Sequence, residues 1–177
     1  EIEAMAVGLR EMVDPDVASS SADLIEYFVN EMVKRGIPAV TPPGGLAGHV
    51  DAMKFLPHIP QSQYPAGAMA AALFLASGVR SMERGTISMD RDAAGKDVFS
   101  DVELCRMAVP RRVYSMSHIN YVVDRLEWLL HHRDLVGGLK FYSEPPVLRF
   151  FTGKLKALNN WGQRLADAFA ADFGENS

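Results

Sequence analysis

The stretch Glu-Leu-Cys-Arg-Met-Ala-Val-Pro-Arg-Arg-Val-Tyr occupies residues 103–114 and places Arg106 inside an apolar segment typical of a strand. The stretch Gly-Val-Arg-Ser-Met-Glu-Arg-Gly at 78–85 does the same for Arg84. Arginine is almost never buried without a partner, so each of these side chains needs a carboxylate of the protein or an anion from outside. The two arginines are therefore the first candidates for a binding site.

The two stretches belong to neighbouring predicted strands, at 79–88 and 102–109. Residues 90–97 between them are rich in Asp, Gly and Lys, which is typical of a surface hairpin loop. A strand pair joined in this way brings Arg84 and Arg106 into one sheet.

Helical periodicity appears on both sides of this strand pair. A helix is predicted over 2–13, with Asp14-Pro15 as its stop, and the serines at 19–21 offer an N-cap for the next one. That second helix carries a continuous apolar stripe before Gly36 and Pro38 end it. The stripe consists of Leu24, Ile25, Phe28, Val29, Met32 and Val33.

Three further helices are predicted. The first is a single turn over 53–57, and the second is an almost wholly apolar helix over 66–77 that follows Pro65. The third begins after Ser117, which is its predicted N-cap. In the last of these, Trp128 lies about half a turn from the apolar face, so it is either exposed or at a contact.

Additional strands are predicted at 37–41, 46–52, 138–143 and 147–151, with Pro145-Pro146 interrupting the last two. Beyond Leu158, the apolar residues Trp161, Leu165, Phe169 and Phe173 recur at helical spacing. Strands alternating with helices predict an α/β fold, with helices packed on one face of a small mixed sheet.

Composition excludes several classes of protein. The chain has 177 residues, 48% of them hydrophobic and 23% charged, which is typical of a globular protein. A net charge of −4 with scattered basic residues disfavours nucleic acid as the ligand. Cys105 is the sole cysteine, so no internal disulfide can form, and a reducing, cytoplasmic location is expected. The sequence shows no membrane segment, serine triad or metal-ligand set.

Eight stretches, in order from residue 3 to residue 152, resemble the C-terminal part of the tyrosine phenol-lyase and tryptophanase family. They are Glu-Ala-Met-Ala-Val-Gly-Leu-Arg-Glu at 3–11, Pro-Gly-Gly at 43–45, Val-Asp-Ala at 50–52, Tyr-Pro-Ala at 64–66, Val-Arg-Ser-Met-Glu-Arg-Gly at 79–85, Arg-Met-Ala-Val-Pro-Arg-Arg-Val-Tyr at 106–114, Gly-Leu-Lys-Phe at 138–141 and Leu-Arg-Phe-Phe-Thr at 148–152. Several exceed five residues, which makes chance similarity a poor explanation.

The resemblance implies the small, C-terminal domain of a fold type I, aspartate-aminotransferase-type enzyme that uses pyridoxal phosphate for β-elimination. It implies that this domain spans 1–158, with 1–16 as the end of the large domain or a linker. Residues 159–177 then form a C-terminal amphipathic helical extension. A homotetramer is implied in the same way, and the large domain of the same protein is the expected partner.

The resemblance also assigns roles to four residues. Arg106 matches the arginine that binds the α-carboxylate of the amino acid substrate. Arg84 matches an arginine of the phenol-lyases near the leaving phenol, where tryptophanases carry an aliphatic residue. Phe150 matches a phenylalanine of the phenol-lyases that is histidine in tryptophanases, and Phe151 follows it in the same motif. These matches favour tyrosine, cleaved to phenol, pyruvate and ammonia.

Other interpretations of the same residues stay open. A buried ion pair with Glu103 or Glu83 is the alternative for Arg106, and simple core packing is the alternative for Phe150 and Phe151. Cys105, next to Arg106 on the strand, is expected to face the opposite way as a small core residue.

One departure from the family concerns a histidine. The family reads Gly-Gly-His at this turn, whereas this chain has Leu46 there and a histidine three residues later, His49. A shift of three residues along a strand reverses the face, so His49 is interpreted as structural. Leu46 leaves a tryptophanase-like or other amino-acid β-lyase, or a free-standing interaction module of lyase ancestry, as alternatives.

The resemblance further implies which parts lie elsewhere. The lysine that carries pyridoxal phosphate, the phosphate-binding groups and the monovalent-cation site of the family all lie upstream of the matching region. No catalytic residue is therefore expected in this segment, and the chain alone is expected to be inactive.

Overall fold

The computed structural model describes residues 1–174, which fold into seven α-helices and five β-strands. The helices are α1 (Ile2–Glu11), α2 (Pro15–Lys34), α3 (Ala52–Phe55), α4 (Pro65–Ser77), α5 (Met116–His131), α6 (Arg149–Thr152) and α7 (Trp161–Phe173). The strands are β1 (Ala47–Asp51), β2 (Met82–Arg84), β3 (Leu104–Ala108), β4 (Leu139–Ser143) and β5 (Lys154–Ala157). Within 1–174, no helix is long and apolar enough to cross a membrane.

The strands form two small sheets. One has the order β1-β3-β2, so the strands that carry Arg84 and Arg106 are neighbours, as predicted. The other pairs β4 with β5. The α/β class is confirmed, but the prediction of a mixed sheet is wrong: every strand pairing among the described residues is antiparallel. β1 and β2 run in the same direction on either side of β3, and the chain crosses from one to the other through α3 and α4.

The helices α2 and α4 cover one face of the three-stranded sheet, and α5 packs against both of these helices. Val50, Cys105 and Met107 point to this face and are buried. Gly48 also lies on it, and a Cβ atom there would come within 2.7 Å of the Phe28 ring. Glycine at this position therefore lets α2 approach β1 closely. The opposite face of the sheet is not covered by these helices.

Two predicted helix starts are wrong. Helix α2 begins at Pro15, because the Asp14 carboxylate accepts the backbone N–H of Asp16 at 2.9 Å and proline needs no partner at the first helical position. Helix α5 begins after Ser115, which forms a capping box with His118. In both cases the helix begins earlier than predicted, because a residue before the predicted serine caps its N-terminus.

The predicted strand over 147–151 is also wrong. Leu148 takes a left-handed backbone conformation with φ 56°, and the short helix α6 follows it. The partner of β4 is instead β5, after the turn at Gly153. Residues 37–41 contribute only an isolated bridge, between Ala39 and Val50.

The C-terminal amphipathic segment forms α7, which buries Trp161 and Leu165. Residues 175–177 of the predicted extension lie outside the described residues. Trp128 is at a contact: it is 9% exposed, and its ring meets those of Phe169 and Phe173 on α7.

Candidate functional site

The uncovered face of the three-stranded sheet carries Arg106. In the antiparallel register, Arg106 lies directly opposite His49 on β1 and Met82 on β2. Residues that are directly opposite in an antiparallel pair project to the same face of the sheet. The side chain of Arg106, which is partly exposed, therefore projects away from the helices α2, α4 and α5.

Arg84 projects to the same face. It lies opposite Leu104 on β3, two residues before Arg106. Arg84 and Arg106 are thus diagonal cross-strand neighbours, a relationship that places Cβ atoms about 7–8 Å apart. Two guanidinium groups can reach a ligand of amino-acid size from this one surface.

Neither arginine is bound by a carboxylate of the protein: within residues 1–174, Arg84 and Arg106 form no ion pair and no side-chain hydrogen bond. The alternative that Arg106 pairs with Glu103 or Glu83 is wrong. Glu103 is fully buried and accepts the backbone N–H of Thr86 at 2.8 Å, and Glu83 lies opposite Cys105 on the helix-covered face. The charges of both arginines remain available to a ligand.

The two phenylalanines lie beside Arg84. Its guanidinium carbon lies 5.2 Å from the centre of the Phe150 ring. Phe151 meets Phe150 edge to face at 5.2 Å and is 72% exposed. Phe150 is half-buried against the core and Phe151 is not, so simple core packing explains at most the first of the two.

Arg149 anchors α6, the short helix that carries both phenylalanines, and no role for it was predicted from the sequence. Its side chain is 1% exposed and pairs with Asp97 at 2.7 Å and Glu144 at 2.9 Å. It also donates to the carbonyl oxygen of Thr86 at 2.9 Å. Arg149 lies inside the apolar motif at 148–152, just as Arg84 and Arg106 lie in apolar segments, but the partners of Arg149 are carboxylates of the protein.

His49 is part of the candidate site, which the sequence interpretation did not anticipate. It lies on the uncovered face directly opposite Arg106, and burial together with the nearby charge of Arg106 lowers the pKa of its imidazole. Leu46 precedes β1 and is 56% exposed. His49 faces Arg106 because of the register in which β1 pairs with β3. That register could not be predicted from a single sequence.

Cys105 has the predicted structural position. It is fully buried on the helix-covered face, and its thiol donates to the Ser81 hydroxyl at 3.1 Å. Burial raises the pKa of this thiol to about 12. The thiol is therefore no nucleophile near neutral pH.

The candidate site is an open surface rather than a closed pocket. A cleft of about 370 Å³ lies elsewhere, and its lining includes Phe28, Val79, Tyr114 and Val122 but neither arginine. Among residues 1–174, no cluster of His, Cys, Asp and Glu is placed to hold a metal ion. An open face with two free guanidinium groups suits a ligand that a second surface covers.

Comparison with known proteins shows that the chain is similar to part of several lyases. It is 43% identical over 160 residues to the tyrosine phenol-lyase of Symbiobacterium thermophilum and 43% identical over 157 residues to that of Pasteurella multocida. It is 40% identical over 156 residues to the tryptophanase of Salinibacter ruber. These matches cover 88–90% of this chain but only 33–35% of the relatives. No protein-family model matches.

The predicted resemblance is thereby confirmed: nearly the whole chain is homologous to a segment of the tyrosine phenol-lyases and tryptophanases. The chain spans about a third of the length of the curated relatives that it matches.

Proposed function

We propose that this chain is the substrate-side segment of a β-eliminating lyase that uses pyridoxal phosphate and cleaves an aromatic amino acid, with tyrosine as the preferred substrate. The observation that carries the proposal is the uncovered sheet face, where Arg84 and Arg106 stand side by side without an internal acid. The similarity to both families of lyases over nearly the whole chain supports it.

Arg106 binds the α-carboxylate of the substrate in this proposal. A planar guanidinium can hold a carboxylate with two parallel hydrogen bonds, which fixes its orientation better than an ammonium group could. Fixing the carboxylate also fixes the Cα–H bond, and correct alignment of the reacting bond is a large part of catalysis. The rigid position of Arg106 in the middle strand of the sheet suits this role.

Arg84, Phe150 and Phe151 contact the aromatic ring of the substrate in this proposal. A cation near the phenolic oxygen stabilises the negative charge that develops there as the phenol leaves, and the neutral indole of tryptophan gains nothing from it. The ring of Phe150 covers one side of the Arg84 guanidinium and leaves its N–H edge free for that oxygen. These residues therefore favour phenol as the leaving group.

The residues present do not fit a site for pyridoxal phosphate itself. All six lysines, Lys34, Lys54, Lys96, Lys140, Lys154 and Lys156, are exposed, whereas a lysine that bonds the cofactor needs an enclosed site. The cofactor, which acts as the electron sink when bound, and the monovalent cation of the family belong to a part of the relatives that this chain does not span.

The domain organisation follows the same proposal. Residues 1–158 form the small domain, with 1–16 as the end of the large domain or a linker, and the remainder from 159 is an extension. Helix α1 buries none of its side chains against the described residues, and Ile2 is 79% exposed. This is consistent with a helix that packs on the large domain. The assembly is a cytoplasmic homotetramer in this proposal.

A tryptophanase-like or other β-lyase activity is the second candidate. The observation that favours it is Leu46, an exposed leucine where the family carries a histidine. The identity to the tryptophanase of Salinibacter ruber, at 40%, is also close to that to the phenol-lyases.

The test is a steady-state assay of the complete gene product that contains this chain, loaded with pyridoxal phosphate. The substrates are L-tyrosine, L-tryptophan and S-ethyl-L-cysteine. We expect tyrosine to give the highest kcat/KM, and Arg106→Lys to lower kcat/KM for all three. Arg164→Lys, on the exposed face of α7, is the matched control and should change nothing. Activity that survives Arg106→Lys unchanged would contradict the assignment of the carboxylate site.

A further inference from the structure

We propose that His49 is the second anion-binding group of the Arg106 site, so that a carboxylate held by Arg106 is accompanied by uptake of one proton on the His49 imidazole. This inference rests on the proposed function, because it takes Arg106 as the carboxylate-binding residue. It adds a group that the resemblance does not assign and a pH dependence of substrate binding.

The register of the sheet places the two side chains together. His49 on β1 and Arg106 on β3 are directly opposite, an arrangement that brings Cβ atoms to about 4.5–5.5 Å. Both project from the uncovered face, and His49 is half-buried there. A carboxylate bound along the Arg106 guanidinium thus lies within reach of the imidazole.

The charges around His49 are mainly positive. Arg106 faces it from β3, and Arg84 on β2 adds a second guanidinium to the same face. Asp51, the acid on its own strand and face, is already engaged: its Oδ1 caps α3 through Met53 N at 3.1 Å, and its Oδ2 meets Lys54 Nζ at 3.2 Å.

The other elements around β1 bring no compensating charge. Residues 37–41, which pair along its outer edge, contain no ionisable side chain, and α2 packs on the opposite face of the sheet. Burial and the Arg106 charge together lower the pKa of His49. The imidazole is therefore neutral at neutral pH while the site is free.

Binding of a carboxylate favours the protonated form of the His49 imidazole over the neutral form. The anion neutralises Arg106 and places negative charge beside the imidazole, which favours the imidazolium form. The proton comes from solvent, and the new N–H donates to the second side of the carboxylate. Because the bound state holds one more proton, carboxylate affinity rises as pH falls through the pKa of His49. A shift of about one pKa unit corresponds to about a tenfold change in affinity.

The test uses NMR of the histidine rings and strand amides of the chain, with sodium acetate as the bare carboxylate and sodium chloride at equal ionic strength as the reference. We expect acetate to raise the His49 pKa by about one unit, and the affinity for ionised acetate to be about tenfold lower above that raised pKa than below the His49 pKa of the free chain. His131, exposed at the end of α5, is the internal control and should not respond.

Two variants separate the possible failures. Arg106→Met should raise the His49 pKa of the free chain and abolish the acetate response. His49→Gln should still bind acetate but without the pH dependence. If acetate shifts the amides of β3 while the His49 pKa stays constant, this inference is wrong and the carboxylate site stands. If acetate leaves β3 unchanged at every pH, the carboxylate site itself is wrong, and the proposed function fails with it.

Discussion

The Arg84 guanidinium lies over the ring of Phe150, with 5.2 Å between its carbon and the ring centre. The two residues come from separate motifs, one on β2 and one on α6. A cation over an aromatic face is held without the loss of its charge or of its N–H donors. Phe150 therefore orients Arg84 toward a ligand, whereas a carboxylate partner would have neutralised it.

Arg84→Ile should depress tyrosine turnover selectively. A hydrogen bond to a charged group contributes about 1.5–3 kcal/mol, so kcat/KM for L-tyrosine should fall about 10- to 150-fold. S-ethyl-L-cysteine has a better leaving group and should lose less than about threefold, since charge on sulfur needs little stabilisation. The assay compares both substrates with the complete gene product. Arg80→Ile, at a nearby exposed arginine, is the control, and equal losses on both substrates would remove the leaving-group role.

Local patterns predicted the strand pair and most helices, because they depend on features that one sequence displays. The apolar strands around Arg84 and Arg106 and the Asp/Gly/Lys-rich loop between them led to the correct antiparallel pairing. The alternation of side chains between the two faces of a strand also correctly predicted that Cys105 faces away from Arg106. Where several caps competed, as at Asp14 and Ser115, the pattern could not choose between them.

The composition of the site depended on contacts between distant segments, which no local pattern shows. His49 faces Arg106 only because Val50 pairs with Cys105 in this register, and a shift by one residue would turn it to the other face. Arg149 looks like Arg106 in the sequence, but Asp97 and Glu144 enclose it in the structure.

Arg149→Met should strongly destabilise the fold. Arg149 is almost fully buried, and its removal leaves Asp97 and Glu144 without their partner, a type of change that costs about 3–5 kcal/mol. Urea unfolding followed by circular dichroism gives the free energy of unfolding. Arg91→Met is the matched control, because Arg91 contacts the same two carboxylates with a side chain that is 34% exposed, and it should cost less than about 1 kcal/mol. If both variants lowered the free energy of unfolding equally, the central role of Arg149 would be contradicted.

Asp172→Ala should loosen the last turn of α7 and leave its first half in place. The carboxylate of Asp172 accepts the Trp128 indole N–H at 2.7 Å, whereas the first half of the helix is anchored by the buried Trp161 and Leu165. Loss of this hydrogen bond costs about 1 kcal/mol, so amide exchange should accelerate about fivefold near residue 172. Hydrogen exchange measured by NMR is the readout. Asp167→Ala, at an exposed pair with Gln163, is the control, and uniform acceleration along α7 would contradict this division.

Cys105 should make the protein less stable at alkaline pH. Burial raises the pKa of its thiol to about 12, from an ordinary value of 9.0 that also describes the unfolded chain. Above pH 9 the unfolded chain loses this proton while the folded chain keeps it, so the stabilisation is complete below pH 9 and is lost as the pH rises toward 12. Each pH unit in that window should lower the free energy of unfolding by about 1.4 kcal/mol. Urea unfolding of the protein and of Cys105→Ala at pH 8.5, 9.5 and 10.5 isolates the effect, since lysine and tyrosine titration is common to both. Parallel pH profiles would show that the thiol ionises freely in the folded state.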